Sequence, residues 1–260
     1  MKNLKNIELY LLDMDGTIYL ENELIPGAAE FIAKLIDQKK NYVFLTNNSS
    51  VNKQNYLDKL QGLNIPCTEK NLFSSGMATG IFLKTQRPKS KVYLVGTKHL
   101  RSELLGYGVE LTEDKPDIVL VGFDRELTYE KVELACRFLD QGAEFLATNA
   151  DFLYPLKGNR FIPDCASICQ MLTNATGKKP FFIGKPNPYM IDLLAEEYHL
   201  SKDRIAIIGD RLYTDIASGI NAGIVTICVL SGESSQSDVD SSPFHPDYVF
   251  SSVAQLHNLI

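Results

Sequence analysis

Short apolar runs alternate with helix-patterned segments along almost the whole of this chain, and run after run stops abruptly on polar residues. That alternation leaves few folds open, because strands separated by helices join a sheet most simply as parallel neighbours with the helices packed on its faces. "IELYLLD" (7–13) reads as a buried strand, and "PGAAEFIAKLIDQKK" (26–40) as a helix opened by Pro26, with Phe31, Leu35 and Ile36 near helical spacing. "NYVFLTNNSS" (41–50) reads as a second strand followed by a helix over about 52–62. Further on, "RIAIIGDRLYTDIASGINAG" (204–223) supplies strand, polar loop and helix, and "IVTICVLSG" another strand. The expected class is α/β with a parallel sheet. In such sheets ligands bind beyond the carboxyl ends of the strands, where the polar residues of this chain gather.

Composition narrows the function classes. With 45% apolar and 22% charged residues in 260, the chain can bury one large core or two moderate ones and carries no disorder signature. Its apolar runs fall well short of the ~20 residues that cross a bilayer. The N-terminal stretch lacks a cleavage site for export. The expectation is a cytoplasmic protein with no membrane anchor. Five scattered cysteines without a C-x-x-C pair argue against a disulfide framework or a zinc site. A net charge of −6 disfavours a nucleic-acid polymer as partner but leaves room for a small anion at a local cation. The absence of G-x-G-x-x-G after a strand disfavours a nicotinamide cofactor.

The middle of the chain repeats the style without the chemistry. "AAEFIAKLIDQKKNYVFLTNNSS" and "VELACRFLDQGAEFLATNAD" both run helix, Asp-Gln, strand, Thr-Asn. Any helix-to-strand unit can look like this; the sharper reading is a second small α/β domain whose strand end, at Thr148, Asn149 and Asp151, also faces the site. That domain is expected at about 82–178, with 1–81 and 179–260 forming the core. "SGESSQSDVDSSPFHPD" (231–247) reads as a surface loop.

Three carboxylates, Asp13, Asp15 and Asp210, fall at or just past predicted strand ends. Carboxylates converging to ~4 Å repel by about 4 kcal/mol per pair at an effective dielectric of 20, so the cluster needs a cation. All-oxygen ligands without histidine or cysteine fit Mg²⁺, which completes its shell with water and substrate phosphate. "TNNSS" offers the Thr46 hydroxyl and successive backbone amides to an anion. "IGKPNPYM" (183–190) places Lys185 after a short apolar run, with Pro188 able to open a helix. A lysine there would offset the carboxylates and neutralise phosphoryl oxygens.

"LLDMDGT", "LTNNSS", "IGKPNP" and "IIGDRLYTD", in this order and at these intervals, resemble the four motifs of the haloacid dehalogenase-like (HAD) hydrolases. "IPGAAEF", "GKPNP" and the long gap between the second and third motifs are similar to subfamily IIA, the NagD-type and 4-nitrophenyl phosphatase-like enzymes. The resemblance spans the whole chain and implies a HAD-like Rossmannoid parallel-sheet core with an inserted α/β cap domain. It implies a Mg²⁺-dependent phosphatase in which Asp13 is the nucleophile, giving an aspartyl-phosphate. Asp15 would protonate the leaving oxygen and later activate water, its backbone carbonyl binding the metal beside the carboxylates of Asp13 and Asp210. Thr46, the Asn47 amide and Lys185 would hold the phosphoryl oxygens, with Asn48 in support. Gly16 would permit a tight turn beneath the nucleophile, and Asp15 with Thr17 favours phosphate over halide chemistry. Asp215 would orient Lys185 or a metal-bound water, or else is a helix N-terminal acid. By the same likeness Asn149, Asp151 and Asp164 would be cap residues over the leaving group, unless they are turn formers, and Arg211 and Tyr213 would also reach substrate.

A roofing cap implies a small phosphorylated metabolite: a nucleoside monophosphate, a sugar phosphate, phosphoglycolate or an aryl phosphate. Exposed strand edges in the cap leave a homo-oligomer open. Two other functions share these residues. One is a phosphotransferase or phosphomutase, with an alcohol in place of water as acceptor. The other is a phosphometabolite-binding protein without turnover.

Overall fold

The computed structural model describes residues 4–156 and 160–260; Met1–Asn3 of the N-terminal stretch and Lys157–Asn159 lie outside the described residues. The chain begins with β1 (Leu9–Leu12), the hairpin β2 (Tyr19–Leu20) and β3 (Glu23–Leu24), α1 (Ala28–Asp37), β4 (Asn41–Thr46), α2 (Lys53–Gly62) and β5 (Leu72–Ser74). It continues through α3 (Ser75–Gln86), β6 (Lys91–Val95), α4 (Lys98–Gly106), β7 (Glu110–Leu111), β8 (Ile118–Val121), α5 (Tyr129–Asp140) and β9 (Glu144–Ala147). Then follow β10 (Leu153–Leu156), β11 (Arg160–Pro163), α6 (Cys165–Thr176), β12 (Phe181–Phe182), α7 (Tyr189–Glu197) and β13 (Ile205–Gly209). The last elements are α8 (Ala217–Ala222), β14 (Val225–Val229), α9 (Gln236–Ser241) and β15 (Tyr248–Phe250). No helix among the described residues is long and apolar enough to cross a membrane.

These elements form two compact units. The first takes the chain up to Thr46, Lys53–Phe73 and Lys185–Ile260. Its sheet has the order β15-β14-β13-β1-β4-β5, with β1 parallel to both β13 and β4. All four residues of β1 and all five of β13 are buried, as expected of strands covered on both faces. The chain leaves β1 toward β4 on one side and returns much later as β13 on the other, so the β1/β13 edge is the switch point of the sheet. Helix α1 buries Ala28, Phe31, Ile32 and Leu35, an i, i+3, i+4, i+7 stripe. Ile36, expected on that face, is exposed; Ile32 takes the place in the core. The helix also starts two residues after Pro26, with Gly27 at its N-cap.

The second unit comprises Asn47–Asn52 and Ser74–Gly184. Its five-stranded sheet has the order β12-β9-β8-β6-β7, and β10 pairs with β11 as an antiparallel hairpin. Tyr93, Val119, Val121, Phe138 and Leu172 are among the residues of its core, which also takes in Cys165 and Cys169, four apart on α6. All five cysteines are free thiols. The unit is wider than the 82–178 expected from sequence. Helix α3 packs with α4, and β12 pairs in parallel with β9, so 74–81 and 179–184 join this unit. The segment Asn47–Asn52, which carries the last four residues of the second motif, belongs to it as well.

Removing side-chain volume from the centre of the first sheet measures how far the site depends on it. Leu11→Ala is expected to cost about 2–5 kcal/mol by urea denaturation. A loss below about 1 kcal/mol would contradict the packing described.

Candidate active site

The register of β1 and β13 brings two motifs together that are far apart in sequence. Leu12 pairs with Ile208, and the Asp13 N–H donates to the Ile208 carbonyl at 2.9 Å. Asp13 and Asp210 thus each fall just past neighbouring parallel strands. After β13 the backbone turns tightly, with the Asp215 and Ile216 N–H groups both donating to the Arg211 carbonyl at 3.0 and 3.2 Å. This turn swings Asp215 back toward the strand end. Carboxylate oxygens of Asp13, Asp210 and Asp215 lie within 4.8 Å of one another.

A single buried lysine stands among them. Lys185, 2% exposed, donates from Nζ to Asp13 Oδ1 at 2.6 Å, to Asp215 Oδ1 at 2.5 Å and to the Leu45 carbonyl at 3.1 Å. Burial alone would lower its pKa, but the pull of Asp13 and Asp215 outweighs burial and holds it above the usual lysine value. Burial, then Asp215, push the Asp13 carboxyl well above the usual carboxylate range against the opposing Lys185. Asp210 is pushed up to about 7, first by burial and then by Asp215. Asp215 also accepts the Arg211 N–H through Oδ2 at 3.2 Å, so it both fixes the turn and holds Lys185.

Close packing of glycines leaves room for these carboxylates. A Cβ on Gly16 or Gly232 would collide with the Asp210 carboxyl, and one on Gly209 with that of Asp215. Gly16 also has φ +86°, in the left-handed region, as the tight turn after Asp13 requires. Its carbonyl accepts the Ser231 hydroxyl at 2.8 Å.

Asp210 supplies the test of whether a cation fits. Its Oδ2 accepts the Glu233 N–H at 2.7 Å, whereas its Oδ1 is buried with no hydrogen-bond partner among the described residues. Such an oxygen is costly unless something positive meets it. Three clustered carboxylates against one ammonium leave an excess of negative charge, and all-oxygen donors suit a hard divalent ion such as Mg²⁺. The clustered set differs from Asp13, Asp15 and Asp210: it is Asp215 whose carboxylate joins the other two, and the Asp15 carboxylate lies outside this group.

Asp15 follows Asp13 by two residues and forms a bridge with Tyr19. Burial raises its pKa, against the pull of Lys59, Arg211 and Lys185 in that order. Lys59 is a residue the motifs did not announce. Its Nζ sits 3.7 Å above the Tyr19 ring, and burial lowers its pKa despite Asp15 and Glu21. In sequence it is one lysine of an ordinary amphipathic helix. Thr17 is fully buried, and its hydroxyl has no partner among the described residues. Arg211 turns to Glu233, Nε to Oε2 at 2.9 Å. Tyr213 is 39% exposed and lines a cavity of about 460 Å³ with Leu212, Glu233, Ser234 and Phe244.

Thr46 ends β4, buried, and Asn47 opens the segment that belongs to the second unit. Asn48 Oδ1 accepts the Ser50 N–H at 2.9 Å and the Ser50 hydroxyl at 2.7 Å, a local turn that shapes this loop. Asn149, Asp151 and Asp164 are all buried within the second unit, where Asn149 Nδ2 donates to Asp151 Oδ2 and to Asp164 Oδ1. Asp164 is also the N-cap of α6, so one of its roles is the turn-forming one. Lys157–Asn159, in the same stretch, lie outside the described residues.

Comparison with known proteins gives concordant matches. A family model described as haloacid dehalogenase-like hydrolase matches residues 10–110, and a HAD-hydrolase-like model matches 182–256. The chain is 36% identical over 253 residues to the ribonucleotide monophosphatase NagD of Escherichia coli K12, covering 97% of this chain and 98% of that one. It is also 36% identical over 248 residues to the acid sugar phosphatase of Staphylococcus saprophyticus, covering 95% of each. The crystal structure of 4-nitrophenylphosphatase from Thermotoga maritima superposes with a TM-score of 0.94 at 39% identity, covering 98% of both chains.

Removing the buried cation tests its place in the cluster. Lys185→Met in the presence of a chelator is expected to cost about 3–5 kcal/mol of unfolding free energy, because it leaves buried carboxylates uncompensated. An unchanged denaturation midpoint would contradict the geometry.

Proposed function

The chain belongs to the haloacid dehalogenase-like hydrolase family, and from that premise we propose that it is a Mg²⁺-dependent phosphatase of small phosphate monoesters acting through an aspartyl-phosphate. One observation carries the reading: Asp13, Asp210 and Asp215 converge at the ends of adjacent strands around Lys185, with Asp210 Oδ1 buried and unmatched. Phosphate monoesters are among the slowest substrates to hydrolyse unaided, so nucleophile, acid, cation and metal have to act together.

In this reading Asp13 Oδ2 or Oδ1 attacks phosphorus and the ester oxygen leaves. Asp15, whose pKa is raised by burial, gives that oxygen its proton. The deprotonated Asp15 then takes a proton from water, which attacks the same phosphorus and releases Asp13 and inorganic phosphate. Lys185 neutralises phosphoryl oxygens while Asp215 keeps its ammonium in place. Thr46 and the Asn47 N–H bind the remaining oxygens. Asp13, Asp210 and the Asp15 carbonyl would hold Mg²⁺, which supplies positive charge to offset the carboxylates and the phosphoryl group. Asp215, a member of the same cluster, orients Lys185 or a metal-bound water.

The relatives' names cover nucleotide, sugar and aryl phosphates, substrates that share a phosphate monoester and differ in the leaving group. The chemistry is therefore assigned to the first unit, and we assign the second unit the role of a cap that selects the leaving group. A cytoplasmic location is part of the same proposal.

Phosphate release from a panel of such esters tests the proposal. Release with Mg²⁺ is expected to fall by roughly a thousandfold or more with EDTA or on Asp13→Asn. Undiminished release by Asp13→Asn would sink the covalent route, and release in EDTA the metal requirement.

A further inference from the structure

The stretch 231–247 is expected from sequence to be a surface loop, but its first four residues pack on Asp210 and on the turn after Asp13. The Glu233 N–H donates to Asp210 Oδ2 at 2.7 Å, and the Ser234 N–H donates to the Asp210 carbonyl at 3.2 Å. The Glu233 carboxylate pairs with Arg211, Nε to Oε2 at 2.9 Å, and the Ser231 hydroxyl donates to the Gly16 carbonyl at 2.8 Å. One short segment thus holds Asp210 by side chain and backbone, the adjoining Arg211, and the glycine of the first motif. All of these residues belong to the first unit.

The segment is itself anchored at both ends. Before it, the Leu230 N–H donates to the Phe250 carbonyl of β15 at 2.9 Å. After it, Ser235 and Asp238 form a capping box at the start of α9, the Ser235 N–H donating to Asp238 Oδ2 at 2.8 Å. Val239 of the same helix packs with Leu212, Ile216 and Cys228. A segment so fixed has little freedom left to lose when it holds a carboxylate.

Gly232 shows what the segment is fitted to. Its φ lies outside the left-handed region, unlike that of Gly16, yet a Cβ on it would overlap Oδ2, Cγ and Cβ of Asp210. Contact with Asp210 is therefore what requires a glycine at this position. A Cβ on Gly16 would also meet the Gly232 Cα at 3.1 Å, so the two glycines form a notch in which the carboxyl sits. Within the notch the two oxygens differ. Oδ2 is held by the Glu233 N–H, whereas Oδ1 is buried without a hydrogen-bond partner among the described residues.

We propose that Ser231–Ser234 is a positioning strap for Asp210, in which Gly232 lets the carboxyl seat and Glu233 takes Oδ2 so that Oδ1 is presented to the metal. This rests on the phosphatase reading above, in which Asp210 helps to hold Mg²⁺. The strap adds no ligand of its own. It sets how tightly the metal binds by fixing the orientation of a ligand that binds it, as hydrogen-bonding partners of metal ligands do.

The test uses the full chain without substrate. Mn²⁺ binding is followed by electron paramagnetic resonance of the free ion, and Mg²⁺ binding by its competition with Mn²⁺. Gly232→Ala is expected to raise both dissociation constants by about tenfold or more, and Glu233→Ala, which keeps the N–H but releases the residue from Arg211, by about threefold. Gly62→Ala, where an added Cβ would meet nothing within 4 Å, is expected to leave both unchanged. A strap with a structural role alone would give a Gly232→Ala protein that melts at a lower temperature in EDTA and still binds both ions as wild type does; that result overturns the proposal. Equal weakening in Gly62→Ala also overturns it. Should Gly232→Ala not fold, unchanged constants in Glu233→Ala do the same. A wild type that binds neither ion overturns the metal-dependent reading and this one with it, whereas a wild type that binds both, with Gly232→Ala unaltered, overturns the positioning alone.

Discussion

One buried ammonium group among carboxylates that repel each other is the interaction on which the rest of this structure depends. Lys185 meets Asp13 and Asp215 directly, and Asp210 stands within the same cluster. A pair of such charges at ~4 Å repels by about 4 kcal/mol at an effective dielectric of 20, so the sheet has to hold them where they would not stay by themselves. It does so through register. Strand β1 lies between two parallel neighbours, all its side chains buried, and Asp13 follows its last residue with its N–H bonded to Ile208. The glycines at 16, 209 and 232 complete the arrangement by leaving space into which the carboxylates fit.

The second unit solves a different problem with a different device. Its core is apolar, built on Val119, Val121, Phe138 and Leu172, but residues just past β6, β8 and β9 carry hydroxyls and amides that lace into the Asn47–Asn52 segment. A buried polar network of this kind is worth keeping only if its members are satisfied, and it then fixes one conformation. The first unit concentrates charge, and the second ties one loop into a single conformation.

Much of this was legible in the sequence because it rests on local pattern. The strands ending at Leu12, Thr46 and Gly209 show as apolar runs stopped by polar residues, and the four motifs name Asp13, Asp15, Lys185 and Asp210. What pattern could not supply was set by contacts between distant residues. Ile32 and Ile36 are both apolar and one turn apart, and only packing decides that Ile32 is buried. The Asn47–Asn52 segment looks continuous with β4, yet its hydrogen bonds run to Thr148, Asp151 and Phe123. Asp215 could be a turn acid or the partner of Lys185, and the tight turn after Arg211 makes it both. The repeated Thr-Asn was visible, but not that both asparagines share one Asp151 oxygen. Lys59 had no motif, only a place above the Tyr19 ring that the β2 hairpin creates.

The central claim is that Asp13 forms a covalent bond to phosphorus within this charged cluster. Its most direct test is a single turnover with an ester labelled on phosphorus, quenched in acid during the reaction, digested and mapped by mass spectrometry. The account predicts a phosphoryl group on the peptide carrying Asp13, at its carboxylate. Turnover at the same rate with label on no aspartate, or on a peptide lacking Asp13, would contradict it.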